Sequence, residues 1–370
     1  MKISSSKENL VYGTQIAQRC ISSRAPLPIL NGILLTARDH QLTFQATDLD
    51  LAIECATGVE VLEEGSVVVP ARHFLEIVRR LPDQTIHLES DPQTKLLILT
   101  YGSAQFSINT LNPDEFPVFP NINGNFTQEI KQVLLKEIIR QVAFAASNDP
   151  IRPLFTGVML EIAPHHLLFV ATDTHRLAKR KIEQENPEIE QPVQTIIPAR
   201  ALNELYRLLK DEDLPIKISI TDTHITFYTE DFIFSTRPIQ GYYPDYKKVL
   251  PENYQCKILI NTTELLPAIE RASLLISTKE GNSIVHLTIK ENYLTVQSNS
   301  VDLGSVHEEI PATREGQEIA IAFNARYLID ALKNMEAEQM AIEFTGNLGP
   351  GIIRPVSEQD YLYLLLPIRT

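Results

Sequence analysis

The chain has 370 residues, more than one ordinary hydrophobic core supports, so two or three domains are expected. Its 44% hydrophobic and 22% charged residues describe a soluble globular protein rather than a fibrous or disordered one. The net charge of −14 excludes a surface that grips nucleic acid everywhere, because phosphate binding rests on Lys and Arg; basic residues gathered on one lining stay possible.

In chain order, the opening stretch 1–10 has no apolar h-region, so no signal peptide is expected. No apolar run approaches the roughly 20 residues that a membrane span needs. An amphipathic helix is expected over 10–22, a strand over 41–47, a helix over 71–81 and a strand over 95–101. After a linker at 121–129, a helix is expected over 134–147, a strand over 166–172, a helix over 199–209 and a strand over 217–228. A second linker at 251–257 leads to a helix over 265–277, a strand over 293–298, a helix over 325–335 and a strand over 340–345. Cys20, Cys55 and Cys256 lie far apart with no Cys-x-x-Cys, which fits a reducing cytoplasm and excludes a disulfide framework or a zinc ribbon.

The order of these elements repeats, and so do the residues. Val69-Pro70-Ala71-Arg72 opens one helix, Ile197-Pro198-Ala199-Arg200 a second and Phe323-Asn324-Ala325-Arg326 a third, each close to a third of the chain from the next. Ala46-Thr47-Asp48 returns as Ala171-Thr172-Asp173, with an echo at Ser298-Asn299-Ser300. Phe106-Ser107 followed by Phe116-Pro117 returns as Phe234-Ser235 followed by Tyr243-Pro244. Periods this long mean repeated domains, not a solenoid. The expected fold is α+β: three tandem copies, each with two helices on an antiparallel sheet. The expected domain boundaries are 1–120, 128–251 and 256–370.

The repeated helix carries Arg, then an acid at i+4, then Arg or Lys at i+7. The sets are Arg72, Glu76 and Arg79; Arg200, Glu204 and Arg207; Arg326, Asp330 and Lys333. Positions i and i+7 share a face, so each helix presents two cations there. One such helix reads as a solvated face with an intrahelical ion pair, whereas three at matched positions suit a long polyanion. Head-to-tail contact between similar units closes into rings or runs on as filaments, and a ring with basic helices inside reconciles −14 with DNA.

These landmarks, with Leu27-Pro28-Ile29-Leu30, Thr174-His175-Arg176-Leu177, Pro244-Asp245-Tyr246 and Leu366-Pro367-Ile368-Arg369, resemble the beta sliding clamp family, the processivity subunits of bacterial DNA polymerase III. The resemblance covers the whole chain. It implies a non-catalytic, cofactor-free homodimer of three-domain chains, six similar units around duplex DNA. Its partners would be the replicative polymerase, the clamp loader and other proteins that carry short clamp-binding motifs. It implies a peptide-binding pocket at Thr172, His175, Arg176, Leu177, Pro244, Lys248, Val249, Asn324, Tyr327, Leu366, Pro367, Ile368 and Arg369. Thr174 stands where the family usually has Gly, and Lys248 where it often has Arg. Arg24 and Arg152 resemble family positions facing the hole; Arg72, Arg79, Arg200, Arg207, Arg326 and Lys333 join them from the repeat. The implied dimer interface is Phe106 against Leu275 and Ile276.

An enzyme reading finds no support in the residues. There is no GxxxxGK[ST], no GxSxG, and His307-Glu308-Glu309 lacks the second His of a zincin motif. His175 beside Asp173 reads as structural rather than as an acid–base pair. The alternative function is a repeat-built interaction scaffold that holds no nucleic acid.

Overall fold

The computed structural model describes residues 1–21, 27–91, 93–120, 127–186, 189–275, 283–300, 302–358 and 360–369. Three tandem copies of one α+β unit follow each other along the chain. Copy one runs β1 (Lys2–Ser5), α1 (Lys7–Ala17), β2 (Gly32–Arg38), β3 (Gln41–Thr47), β4 (Leu51–Gly58), β5 (Glu60–Glu63), β6 (Gly65–Pro70), α2 (Ala71–Arg80), β7 (Ile86–Asp91), β8 (Leu96–Tyr101) and β9 (Ala104–Asn109). Copy two runs β10 (Thr127–Lys131), α3 (Gln132–Val142), β11 (Gly157–Ala163), β12 (His166–Thr172), β13 (Arg176–Glu183), β14 (Val193–Pro198), α4 (Ala199–Tyr206), β15 (Pro215–Ile220), β16 (Ile225–Tyr228) and β17 (Phe232–Thr236). Copy three runs β18 (Cys256–Asn261), α5 (Thr262–Leu274), β19 (Ile284–Ile289), β20 (Tyr293–Ser300), β21 (Gly304–Pro311), β22 (Thr313–Gly316), β23 (Ile319–Asn324), α6 (Ala325–Asn334), β24 (Gln339–Phe344), β25 (Gly351–Pro355) and β26 (Tyr361–Leu365).

Several details depart from the sequence reading, among them the first helix of each copy, which ends early at Ala17, Val142 and Leu274. Each copy opens with a short strand ahead of its first helix. The expected strand over 217–228 is two strands, because Thr221 Oγ1 donates to the His224 carbonyl and accepts from its N–H, both at 3.0 Å, closing a turn.

The chain forms two compact units. The first comprises residues 1–136 and 203–238. It holds a five-stranded sheet in the order β5-β1-β7-β8-β9 and an eight-stranded sheet in the order β10-β15-β16-β17-β4-β3-β2-β6. The eight-stranded sheet joins copy one to copy two: β17 pairs antiparallel with β4, from Phe232 opposite Cys55 to Thr236 opposite Leu51. Ser6 caps α1 by accepting from the Asn9 N–H at 3.1 Å. Leu10, Thr14 and Ala17 of that helix are buried. Gly13 admits the Phe44 ring, which would stand 2.3 Å from any Cβ there, so the helix lies directly on β3. In α2 the buried face is Ala71, Phe74, Leu75 and Val78, and Arg72 and Arg79 face solvent, as the i, i+7 spacing requires.

The second unit comprises residues 137–202 and 239–370. Its nine-stranded sheet runs β14-β11-β12-β13-β26-β25-β24-β18-β22, beside a four-stranded sheet β21-β20-β19-β23. Here β13 pairs antiparallel with β26 and joins copy two to copy three. Tyr361 and Tyr363 are fully buried, and their hydroxyls donate to the carbonyls of Gln141 and Tyr327, each at 3.0 Å. A large apolar side chain sealed this way contributes on the order of 1.5–3 kcal/mol.

Strands β4, β13 and β21 hold one place in the repeat, and β17, β26 and β9 hold another. Two of the three possible pairs are made, β4 with β17 and β13 with β26. Among the described residues β21 and β9 are each paired on one side alone.

Candidate functional site

The hairpin between β12 and β13 is built by its own side chains. Thr172 Oγ1 donates to the Arg176 carbonyl at 2.6 Å and accepts from the Thr174 N–H at 3.2 Å. Asp173 Oδ1 accepts from the N–H groups of His175 and Arg176 at 2.9 and 3.0 Å. Thr174 is held at φ +78°, a left-handed conformation that favours glycine. Copy one repeats the device: Thr47 donates to the Leu51 carbonyl, Asp48 accepts from Asp50 and Leu51, and Leu49 sits at φ +80°. The recurring Ala-Thr-Asp is therefore a turn, and Asp173 is spent on it rather than free to serve as a base.

From this turn Arg176 runs inward and is only 9% exposed. Its Nε reaches Asp173 Oδ2 at 3.0 Å, its Nη1 reaches Asp330 Oδ2 on α6 at 2.7 Å, and its Nη2 donates to the Phe144 carbonyl at 2.9 Å. The guanidinium also lies 4.4 Å from the Tyr327 ring centroid and 5.5 Å from that of Phe144. Burial works against the charge, but Tyr363, Asp330 and Asp173 outweigh it and hold the pKa above the ordinary arginine value. Asp330 thus answers Arg176 across the fold; the spacing alone offers it an intrahelical partner in Arg326.

Some of the expected pocket residues meet this fork or one another, and others only lie near them in the chain. His175 stacks on Tyr327 with ring centroids 6.4 Å apart, and its carbonyl accepts from the Leu366 N–H at 2.9 Å. The Ile368 N–H donates to the Ala322 carbonyl at 2.8 Å, next to the end of β23. Leu177 and Leu364 enter one apolar cluster with Met159, Val170, Tyr246 and Ile352, against which Tyr243 packs. Burial, then Glu161 and Asp245, push the Tyr246 hydroxyl up to about 12, so it stays neutral. Pro244, Lys248 and Val249 flank that tyrosine on an exposed segment, where Lys248 pairs with Asp245 at 3.4 Å. Val249 at 51% exposed and Leu366 at 40% offer apolar surface to solvent. Asn324 caps α6 by accepting from the Arg326 N–H at 3.0 Å. Arg369 is exposed at the end of the same segment. Sequence reasoning gave Phe144 and Tyr363 no place in the site, and took Tyr246 only as a landmark and Asp330 only as a helix acid, because their contributions depend on contacts far apart in the chain. Asp173, though quoted in the motif, carried no hint of its grip on Arg176.

The cations separate into groups. Arg72, Arg79 and Arg207 line one cavity of about 680 Å³ with Gln15, Gln18 and Arg19. Its one carboxylate, Glu204, reaches Arg207 at 2.7 Å and Arg19 at 3.9 Å. Arg19 was missed because it lies on the turn that leaves α1, not on the repeated helix. Arg152, Arg200 and Arg326 are exposed in the second unit, as is Lys333, which pairs with Glu270 at 2.8 Å. Arg24 lies outside the described residues. Of the expected interface residues, Phe106 on β9 is 38% exposed and stacks on Tyr101 at 6.1 Å. Leu275 caps α5 beside Leu274, which is 75% exposed, and Ile276 lies outside the described residues.

Among the described residues no three His, Cys, Asp or Glu side chains are grouped to hold a metal. The cysteines are buried, and burial, then Glu54, push the Cys55 thiol up to about 12, far from a reactive thiolate. No helix there is long and apolar enough to cross a membrane.

Residues 1–120, 129–245 and 247–369 match the N-terminal, central and C-terminal domains of the DNA polymerase III beta subunit. The chain belongs to the DNA polymerase III beta subunit family. It is 38% identical to the Beta sliding clamp of Bacillus subtilis over 381 residues, covering all of both chains. It is 36% identical to that of Staphylococcus epidermidis over 361 residues, covering 95% of each. The crystal structure of the Bacillus subtilis sliding clamp matches with a TM-score of 0.96, over 100% of this chain and 99% of that one. As a beta subunit it is a processivity clamp, a non-catalytic member of its polymerase assembly.

Proposed function

We propose that two copies of this chain close head to tail around duplex DNA, slide along it and tether the replicative polymerase. The observation that carries this reading is the pair of unsatisfied strand edges. Sheets join copy one to copy two and copy two to copy three by one rule, with Ile53 opposite Phe234 and Ala178 opposite Tyr363. Extending the rule places Phe106 on β9 of one chain opposite Val306 on β21 of its partner. An aromatic then stands at the same point of every seam, and no sheet edge of this class is left open to aggregation. The domain boundaries proposed are those of the repeat, 1–120, 128–251 and 256–370.

The Arg19, Arg72, Arg79 and Arg207 cavity supports contact with phosphates rather than bases, since it offers cations without a donor–acceptor pattern specific to sequence. We also propose a groove at His175, Tyr327, Leu177 and Leu366 that takes short peptide motifs of the polymerase, the clamp loader and other partners. Apolar anchors would enter between the stacked rings and the Leu366 segment, with a polar rim to set register. The site of action is the cytoplasm, where the chromosome of a bacterial cell lies.

The seam is tested by a chain carrying Phe106→Cys and Val306→Cys. Its own cysteines are buried, so mild oxidation should link the new pair between chains. A control with Ser305→Cys in place of Val306→Cys points that side chain to the other face and should link poorly. Equal linkage in both, or none in either, would sink the proposed register.

A further inference from the structure

The pairing that joins copies two and three has a full counterpart between copies one and two. The Leu366 N–H donates to the carbonyl of His175, and the Arg237 N–H donates to that of Asp50 at 3.0 Å. The Ile368 N–H donates to Ala322, and the Ile239 N–H donates to Ile196 at 2.9 Å. Arg237-Pro238-Ile239 therefore stands where Leu366-Pro367-Ile368 stands, and Leu49 and Asp50 stand where Thr174 and His175 do. Phe116-Pro117 and Phe119 correspond to Tyr243-Pro244 and Tyr246.

Of these counterparts, Leu49, Asp50, Phe116, Pro117, Phe119 and Arg237 line a groove of their own, wholly within the first unit. Ala46, Leu49, Phe116, Pro117, Val118 and Phe119 give it apolar walls around a cavity of about 170 Å³, room for one aliphatic or aromatic side chain. Leu49 is 41% exposed and Val118 is 95% exposed, so the walls open to solvent. Its polar groups differ from those of the Leu366 groove. Ser235 replaces Leu364, Arg237 replaces Leu366, and His224 and Asp50 complete the lining. Burial, then Arg237, hold the His224 pKa below the ordinary histidine value, so at neutral pH Arg237 is the cation of the site.

We infer that this groove is a second peptide-docking site, taking a short segment with one aliphatic or aromatic anchor and an acidic residue that meets Arg237. The anchor fits the single-side-chain cavity, and the acid complements the exposed guanidinium that has no counterpart in the Leu366 groove. The inference rests on the reading of the Leu366 groove as a peptide site, since repeat equivalence carries the chemistry across.

The test uses the full-length protein and a hexapeptide with one Phe and one Asp among Ala and Ser, bearing an N-terminal benzophenone. Irradiation and peptide mapping should place crosslinks in residues 116–120 as well as in 364–368. Arg237→Glu should lower the first yield about fivefold and leave the second unchanged. That variant keeps the backbone bond to Asp50, and Val118→Lys supplies a second variant at a fully exposed wall. Crosslinks in 364–368 alone, or a 116–120 yield indifferent to both variants, would overturn the second site while leaving the Leu366 groove standing. Crosslinks in 116–120 alone would instead remove the peptide reading of the Leu366 groove.

Discussion

Arg176 illustrates how one buried side chain can tie a turn, a helix and an aromatic ring together. Its fork is divided among Asp173, Asp330 and the Phe144 carbonyl, and its plane supports the Tyr327 ring. Removing it would strand two carboxylates, one of them nearly buried, so Arg176→Ala should cost about 3 kcal/mol of unfolding free energy. Arg176→Lys should recover little of this, because a single ammonium cannot reproduce three divergent contacts. Denaturant midpoints would check both, and an Ala variant as stable as the parent would contradict the account. The sequence displayed every member of this network but not the network itself. Ala171-Thr172-Asp173 is legible as a landmark because its residue types suit a turn. Asp330 was not, because its partner lies 154 residues away and the nearer Arg326 satisfies a helical spacing equally well.

At the level of elements, the closing segment holds the candidate groove by two backbone bonds, Leu366 to His175 and Ile368 to Ala322. It lies beyond β26, so the sheet pairing from Arg176 opposite Leu365 onward does not need it. Deleting residues 366–370 should therefore abolish binding of motif peptides while the dimer persists; peptide titration and sedimentation would check the two halves of that statement. Full peptide affinity after the deletion would refute the assignment. The helix faces make a separate prediction. Arg72 and Arg79 lie on one face of α2 and line a cavity with one carboxylate and four arginines. Reversing both to Glu should weaken DNA association and flatten the plot of log affinity against log salt by about two units. An unchanged slope would mean that neither meets a phosphate. The i, i+7 spacing was readable because an exposed helical face is a local property. Arg19 was not, since it reaches the cavity from a different element, and the short opening strands escaped because four to six residues carry little periodicity.

For the whole molecule, the repeat was legible because each copy buries the same helix face, and copies one and two also build the same Thr-Asp turn. What it could not reveal was that the sheets run across the copy boundaries. The eight- and nine-stranded sheets arise from edge pairing of β4 with β17 and β13 with β26, contacts between segments far apart in sequence. That shared-sheet rule makes closure of a ring by β9 and β21 the natural completion of the structure. The most direct test joins closure to topology. A chain with Phe106→Cys and Val306→Cys would be placed on nicked circular duplex by an active clamp loader with ATP, oxidised, and denatured in detergent. A closed ring predicts protein that stays on the circle through denaturation and is released when the DNA is linearised. Protein lost from circles in detergent despite a formed crosslink, or kept equally on linear DNA, would contradict it.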